Sequence, residues 1–197
     1  YYRAELRKRL PELKNIEGFP IGEDEDIIAL SDPPYYTACP NPWLNDFIAE
    51  WEEEKKTISS RKKNFNVSEP YGYDIKEGVN NPVYVAHTYH TKVPHPAIMR
   101  FLLHYTQPGD IVLDSFAGTG MCGVAANACG NPDAETKFKI ESEWRNSFGS
   151  LPTWGRRKAL LSDLSPIASF ISSNYNAPID SAQFFDESEE LFAKVEA

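Results

Sequence analysis

The chain has 197 residues, of which 41% are hydrophobic and 25% are charged, as in a soluble globular domain with its own core. This composition excludes a disordered tail, a collagen-like repeat and a coiled coil, and no apolar run approaches the roughly 18 residues of a transmembrane helix. The net charge is −9, so the chain lacks the basic balance of a self-sufficient nucleic-acid binder, and any phosphate-binding surface is expected mostly outside it.

The N-terminal part of the sequence predicts two helices, a strand and a long loop. Leucines three and four residues apart predict an amphipathic helix over residues 1–14. The apolar run DIIAL, residues 26–30, lies between acidic residues and two prolines, which predicts a short buried strand. Aromatic and aliphatic residues at helical spacing predict a helix over residues 43–56, and the polar, turn-rich residues 57–82 predict a loop insertion.

The middle of the sequence predicts a strand between two helices. Apolar residues on one side predict a helix over residues 96–105, and the run DIVLD predicts a buried strand over residues 110–114. An alanine-rich helix is expected over residues 121–129. The polar residues 130–155 are expected to be irregular and to form a second insertion.

The C-terminal part predicts one more strand and two helices. The run KALLS predicts a strand over residues 158–162, and Ser165 with Pro166 is a strong helix start. An amphipathic helix is expected over residues 181–197. The order of elements predicts an α/β fold, a Rossmann-like three-layer αβα sandwich with a mostly parallel sheet, incomplete here, in one domain over residues 1–197.

A glycine-rich turn follows the strand DIVLD and precedes a helix. Gly118, Gly120 and Gly123 satisfy the pattern G-x-G-x-x-G in the context that a nucleotide-like ligand needs. Asp114, at the end of the strand, would repel a phosphate by about 1 to 4 kcal/mol at contact distance, but would attract a cationic ligand. We therefore expect S-adenosylmethionine, which carries a sulfonium and an ammonium, rather than NAD. The alternative is that Asp114 only caps the turn.

A second acidic residue follows the next strand. Asp163 stands where a ribose-binding carboxylate is expected in such folds, and Leu164 is placed to pack on the adenine. The interval from the glycine turn exceeds the usual spacing of about 20 residues, which we attribute to the insertion at 130–155. The alternative is that Asp163 is an ordinary acidic residue at a helix N-terminus.

The sequence Ser-Asp-Pro-Pro-Tyr suits chemistry on an amino group conjugated to an aromatic ring. The Asp32 carboxylate and the Pro33 carbonyl can accept the two amino hydrogens, which frees the nitrogen lone pair for attack on a sulfonium methyl group. Pro34 stiffens the turn, and Tyr35 can stack on a base rotated out of a duplex. The alternative is an ordinary turn that ends a strand.

Together these motifs resemble the amino-directed DNA methyltransferases of the adenine-N6 and cytosine-N4 class. SDPPY matches their catalytic motif, DSFAGTG their cofactor loop, HTYHTKVPHPAIMRFLLHYTQPGDIVLD the segment before that loop, and RRKALLSDLSPIASF the strand with the ribose acid. The resemblance implies catalysis by four residues, Asp32, Pro33, Pro34 and Tyr35. It implies contacts with S-adenosylmethionine by nine residues: His90, Thr91, Lys92, Asp114, Phe116, Gly118, Gly120, Asp163 and Leu164.

The resemblance also implies a biological setting. The chain resembles the N-terminal portion of large prokaryotic site-specific enzymes. The resemblance implies action on double-stranded DNA in restriction–modification or phage contexts, with adenine N6 favoured over cytosine N4. The interval between Tyr35 and His90 is too short for a target-recognition domain, so we expect that domain outside this chain. Related proteins carry a further D-P-P-F-like motif, so the alternative that Asp32 is a secondary copy stays open.

The same residues leave other functions open. An RNA methyltransferase, a non-catalytic scaffold that keeps a relic of the site, and, more remotely, a nicotinamide dehydrogenase are the alternatives. Three cysteines without a C-x-x-C pair favour reduced thiols in a cytoplasmic protein over disulfides or zinc, and methyl transfer of this kind requires no metal. The chain begins at Tyr1 without a signal peptide, so we expect a segment of a longer protein with no membrane contact.

Overall fold

A computed structural model of the chain describes residues 1–89 and 92–196. Within these residues nine helices and two strands follow one another along the chain. They are α1 (Tyr2–Leu13), α2 (Asp24–Ala29), α3 (Leu44–Lys56), α4 (Pro82–Val85), α5 (His95–Tyr105), β1 (Ile111–Asp114), α6 (Met121–Ala128), α7 (Ala134–Phe148), β2 (Lys158–Leu161), α8 (Pro166–Asn176) and α9 (Ser181–Glu196). No described helix is both long and apolar enough to traverse a bilayer.

The two strands pair in parallel and place their carboxyl ends side by side. Ile111 lies opposite Lys158, and Asp114 lies opposite Leu161. Because side chains alternate across a strand, Val112 and Ala159 share one face, where both pack against the buried core of α5, α6 and α7. This arrangement of β1, helices and parallel β2 is the unit that the sequence predicted around the glycine turn.

The opposite face of the sheet is only partly covered. Lys158 lies on this face, and its ammonium lies 5.4 Å from the ring centroid of Trp51 in α3. Leu113, near the carboxyl end of β1, is 69% exposed. The predicted three-layer sandwich is therefore not formed by the described residues: helices cover one face, and α3 reaches the other face at the start of β2. The complete Rossmann-like fold stays a prediction.

The strand predicted over residues 26–30 is wrong, because these residues belong mainly to helix α2. Three acidic residues occupy the first turn of this helix, where the helix dipole favours negative charge. Ile27 and Ile28 then bury their side chains against the leucines of α1. A short apolar run fits a strand and a buried helix equally well, and packing against α1 selects the helix.

The irregular structure predicted over residues 130–155 is also wrong, because these residues contain helix α7; that they form an insertion stays a prediction. The Asp133 side chain caps this helix by accepting from the Thr136 amide at 2.9 Å, and Gly149 ends it in the left-handed conformation. Ile140 and Trp144, one turn apart, are buried in the main core. The predictions for α1, α3, α5, β1, α6, β2, α8 and α9 are confirmed to within one or two residues.

Helices α1 and α2 form a second core, separate from the core around α5 to α7. Its buried members are Leu6, Leu10, Leu13, Ile27 and Ile28, and no described residue belongs to both buried clusters. The segment that carries Ser-Asp-Pro-Pro-Tyr follows α2 directly. That segment is therefore supported by the N-terminal core rather than by the sheet.

Two buried arginines make stabilising polar contacts in the interior of the molecule. Arg157 is fully buried and donates to the carbonyl oxygens of Thr106, Thr153 and Gly155 at 2.6 to 3.1 Å. Arg100 is 1% exposed and forms a two-pronged ion pair with Glu143. Arg157, in the middle of the basic run at residues 156–158, is therefore a structural residue.

Candidate active site

The turns after β1 and β2 meet at the carboxyl edge of the sheet. The Ser162 amide donates to the Asp114 carbonyl at 2.9 Å, and the Ala117 amide donates to the Ser162 carbonyl at 2.9 Å. The Gly118 amide then donates to the Asp163 carboxylate at 2.8 Å. These three bonds hold the glycine turn against the second acidic residue.

Asp163 organises the turn between β2 and α8. One carboxylate oxygen accepts from Gly118, and the other accepts from the Ser165 amide at 2.9 Å. Each carboxylate oxygen has a second lone pair, so Asp163 can still accept hydroxyl donors from a ligand. Leu164, the residue predicted to pack on adenine, is 92% exposed at the same edge.

The three glycines of the turn differ in what a side chain at each position would contact. Gly118 has φ +53°, and a side chain there would meet only Tyr89, at 3.9 Å. Gly120 has φ +78°, and a Cβ atom would lie 2.8 Å from the Asn176 amide nitrogen. At Gly123 a Cβ atom would lie 2.7 Å from Leu161. Gly118 therefore leaves open space for a ligand, whereas Gly120, predicted as a cofactor contact, presents its missing side chain to α8.

The segment before α5 lies beside this turn. His87 forms an edge-to-face contact with Tyr175 of α8, at 5.4 Å, and burial lowers the pKa of the His87 imidazole, as does the nearby Lys92 charge. The Lys92 ammonium donates to the His87 carbonyl and lies 4.6 Å from the Tyr84 ring centroid. Lys92 is therefore engaged within its own segment. The predicted contacts His90 and Thr91 lie outside the described residues.

Asp114 and its neighbours form the start of the turn. One Asp114 oxygen accepts from the Phe116 amide at 3.2 Å, and the Phe116 ring is 80% exposed. Burial, with a smaller contribution from the Asp114 charge, raises the pKa of the Cys122 thiol to about 11. Cys122 thus stays protonated near neutral pH and is not a nucleophile.

A buried hydroxyl lies in the middle of the glycine turn. Thr119 is 2% exposed, and among the described residues its hydroxyl has no hydrogen-bond partner. An unpaired buried polar group is costly unless a ligand or water completes it. Thr119 is not among the site residues predicted from the sequence, although its position between Gly118 and Gly120 was an available signal. Tyr89, which immediately precedes His90 and whose ring a side chain at Gly118 would meet, is not among them either.

The donors and acceptors at this edge fit S-adenosylmethionine. Asp114 and Asp163 place two carboxylates beside the turn, an arrangement that suits a cationic ligand with ribose hydroxyls and disfavours a pyrophosphate. Gly118 offers open space, and Thr119 offers an unused hydroxyl. Within the described residues no cluster of His, Cys, Asp and Glu is arranged to hold a metal ion.

The Ser-Asp-Pro-Pro-Tyr segment forms a tight loop with its acceptors free. The Asp32 and Tyr36 backbones exchange two hydrogen bonds, at 2.9 and 3.1 Å, and the Asn41 amide donates to the Pro34 carbonyl at 2.8 Å. Asp32 is exposed. In the described part of the chain, neither the Asp32 carboxylate nor the Pro33 carbonyl takes part in a hydrogen bond or ion pair. Both acceptors predicted from the sequence are therefore unpaired within the described residues, with Pro33 itself buried.

No direct contact joins this loop to the glycine turn within the described residues. Helix α2 rather than a strand precedes the loop, and no hydrogen bond, ion pair or ring contact of the described residues joins residues 32–35 to residues 114–120. The loop instead contacts α3, where the Tyr35 ring stacks on Phe47. Helix α3 in turn contacts Lys158, at the start of β2.

Comparison with known protein families gives a match to a family model. A family model described as DNA methylase (N6_N4_Mtase) matches residues 23–132, more than half of the chain. The matched region includes both the Ser-Asp-Pro-Pro-Tyr loop and the glycine turn, and ends before Asp163. Neither the curated proteins nor the solved structures contain a match.

Proposed function

The chain belongs to the DNA methylase family that acts on N6 or N4 amino groups, and from this membership we propose that it is an S-adenosylmethionine-dependent DNA methyltransferase. Adenine N6 is the favoured target, because an aspartate leads the Pro-Pro-Tyr motif. We further propose that it acts on double-stranded DNA in a restriction–modification or phage setting, with target recognition by regions beyond this chain. The observation that carries the proposal is the pair of unused acceptors, Asp32 and Pro33, in a loop of a family member.

The proposed chemistry assigns separate tasks to the two sites. At the sheet edge Asp114 and Asp163 supply negative charge and ribose acceptors, and S-adenosylmethionine, when bound, supplies an electrophilic methyl group. At the loop the Asp32 carboxylate and the Pro33 carbonyl accept the two hydrogens of the target amino group. These bonds favour a tetrahedral nitrogen whose lone pair is free to attack, a form of electrostatic stabilisation in the transition state. Tyr35 stacks on the extruded base.

The test measures methyl transfer by the full-length protein that contains this chain. Radiolabelled S-adenosylmethionine is incubated with unmethylated genomic DNA or with structured RNA, and the digested product is identified by mass spectrometry. We expect N6-methyladenine in DNA, lost in Asp32→Ala and unchanged in Asp74→Ala, an exposed aspartate in the segment between α3 and α4. Methylation of RNA alone would contradict the proposal.

A second candidate follows from the missing contact between the loop and the glycine turn. Because described residues 32–35 make no direct contact with residues 114–120, this chain is alternatively a cofactor-binding or scaffold portion whose chemistry is performed elsewhere in the protein. Under that alternative Asp32→Ala leaves methylation intact, whereas Asp163→Ala abolishes it. Loss of methylation in both variants supports catalysis by the Asp32 loop.

A further inference from the structure

We propose that Phe47 of α3 is a positioning residue that fixes the Tyr35 ring so that its free face receives the target base; this inference rests on the proposed function. Tyr35 lies on the loop beside the two unpaired acceptors, and the residue is 81% exposed. An exposed tyrosine without a neighbour would sample several rotamers. One covered face restricts the ring and leaves the other face for a ligand.

The contact between the two rings has the geometry of stacking. The Tyr35 and Phe47 centroids lie 5.8 Å apart, with 21° between the ring planes. Phe47 continues the stack to Trp51, four residues later on α3, at 6.0 Å and 20°. We call Tyr35, Phe47 and Trp51 the aromatic stack. Because side chains four residues apart lie on one face of a helix, α3 aligns the Phe47 and Trp51 rings of the aromatic stack.

The far end of the aromatic stack is fixed to the sheet. The Lys158 ammonium lies 5.4 Å from the Trp51 centroid and pairs with Glu54 at 2.6 Å. Lys158 is the first residue of β2, whose other end leads to Asp163. The stack therefore connects the Tyr35 ring to the strand that carries the proposed ribose acid, although the loop and the glycine turn make no direct contact within the described residues.

The loop backbone is restrained independently of the stack. Buried Ser31 accepts from the Ala38 amide at 3.0 Å and donates to the Ile27 carbonyl at 2.6 Å. With the backbone held at both ends, the main remaining freedom of Tyr35 is its side-chain torsions. Phe47 restricts these torsions, so less ordering is needed when a base binds.

The chemical class of the ligand follows from the open ring face. A planar heteroaromatic base, a purine or a pyrimidine, would extend the stack by one ring, and stacking on an aromatic side chain tolerates either type. Choice between bases is therefore left to the acceptors at Asp32 and Pro33. Phe47 itself does not touch the reacting atoms.

The test separates positioning from general stability. Phe47→Leu in the full-length protein is expected to lower kcat for DNA methylation about tenfold, because a small misplacement of a reacting group is costly, with S-adenosylmethionine affinity unchanged. Phe47→Tyr, which keeps an aromatic ring, is expected to restore kcat. The matched control is Phe65→Leu, in the segment between α3 and α4, which is expected to behave as the parent protein.

A double-variant experiment tests whether Phe47 acts through Tyr35. If it does, Tyr35→Leu with Phe47→Leu is no slower than Tyr35→Leu alone, since the second change removes support from a ring already absent. Additive losses, or a Phe47→Leu enzyme with parental kcat, would overturn the inference. If the parent protein transfers no methyl group to DNA, the proposed function has failed instead, so the two failures are distinguishable.

Discussion

The carboxylate of Asp163 accepts a hydrogen bond from the backbone amide of Gly118 at 2.8 Å, joining the turns that follow the two strands. Removal of the charged acceptor of an amide in a partly buried site costs about 1 to 3 kcal/mol in free energy. The Ser165 amide loses its acceptor in the same substitution. Asp163 therefore shapes the turn before any ligand binds.

Asp163→Ala is expected to weaken S-adenosylmethionine binding by at least about tenfold, since it removes both a ribose acceptor and the restraint on Gly118. Isothermal titration calorimetry measures the change. The matched control is Asp180→Ala, because the Asp180 carboxylate also accepts two backbone amides, those of Ala182 and Gln183, at the start of α9. Equal losses of affinity in both variants would contradict a specific role for Asp163.

Asp114→Asn tests the electrostatic selection of a cationic ligand. The change keeps the side-chain shape and the acceptor for the Phe116 amide but removes the negative charge. S-adenosylmethionine carries a sulfonium that S-adenosylhomocysteine lacks, so the variant should lose more affinity for the first than for the second. Competition binding of the two compounds measures this difference. An equal loss for both would show that the Asp114 charge does not act on the sulfonium.

Gly123→Ala tests the close packing of α6 against β2 and α8. The added Cβ would lie 2.7 Å from the Leu161 side chain of β2 and 2.8 Å from the side-chain amide carbon of Asn176 in α8, so we expect a loss of about 1 to 3 kcal/mol in the free energy of unfolding. Gly22→Ala is the control, because nothing lies within 4 Å of its Cβ position. Urea unfolding of both variants measures the difference. A Gly123→Ala protein as stable as the control would contradict close packing at this position.

Arg157→Met tests the buried guanidinium. Burial lowers the pKa of Arg157, and its donors satisfy three backbone carbonyls that would otherwise lack partners. We expect a loss of at least about 2 kcal/mol in the free energy of unfolding, with no recovery in Arg157→Lys, since an ammonium cannot reproduce the planar fork. Arg156→Met, at the neighbouring exposed residue, should have a small effect in the same urea titration.

The thiols provide a prediction on pH. Burial raises the pKa of both Cys122 and Cys129 to about 11. In the unfolded chain a thiol ionises near pH 8.5, so the stabilisation from the neutral thiols, half-buried at Cys122 and buried at Cys129, is complete below that pH and is lost as pH rises toward 11. Iodoacetamide should therefore label both residues far more slowly in native than in urea-unfolded protein at pH 9, as measured by mass spectrometry. Equal labelling rates would contradict the burial.

The sequence predicted those elements whose pattern agrees with their final packing. Leu6, Leu10 and Leu13 gave the helical spacing of α1, and all three are buried. Ser165 with Pro166 predicted the start of α8, and the Ser165 hydroxyl does accept from the Ala168 amide. In both cases a local signal and the tertiary structure favour the same conformation.

The errors arose where local patterns were ambiguous or were not used. The run at Ile27 and Ile28 is too short to separate strand from helix, and the decision came from the leucines of α1. Helix α7 had usable signals in Asp133 and in the spacing of Ile140 and Trp144, which its polar composition obscured. The tie between Gly118 and Asp163 spans 45 residues, so only the strand register reveals it.

The two separate cores imply that the chain does not open as one unit. Amides in α1 and α2 depend on one apolar cluster, and those in α5 to α7 on another, so fluctuations that expose the first need not disturb the second. Hydrogen exchange should accordingly sort the backbone into two protection classes. The amides of the loop that bears Asp32 would then exchange together with those of the N-terminal helices, while the amides of the glycine turn stay protected.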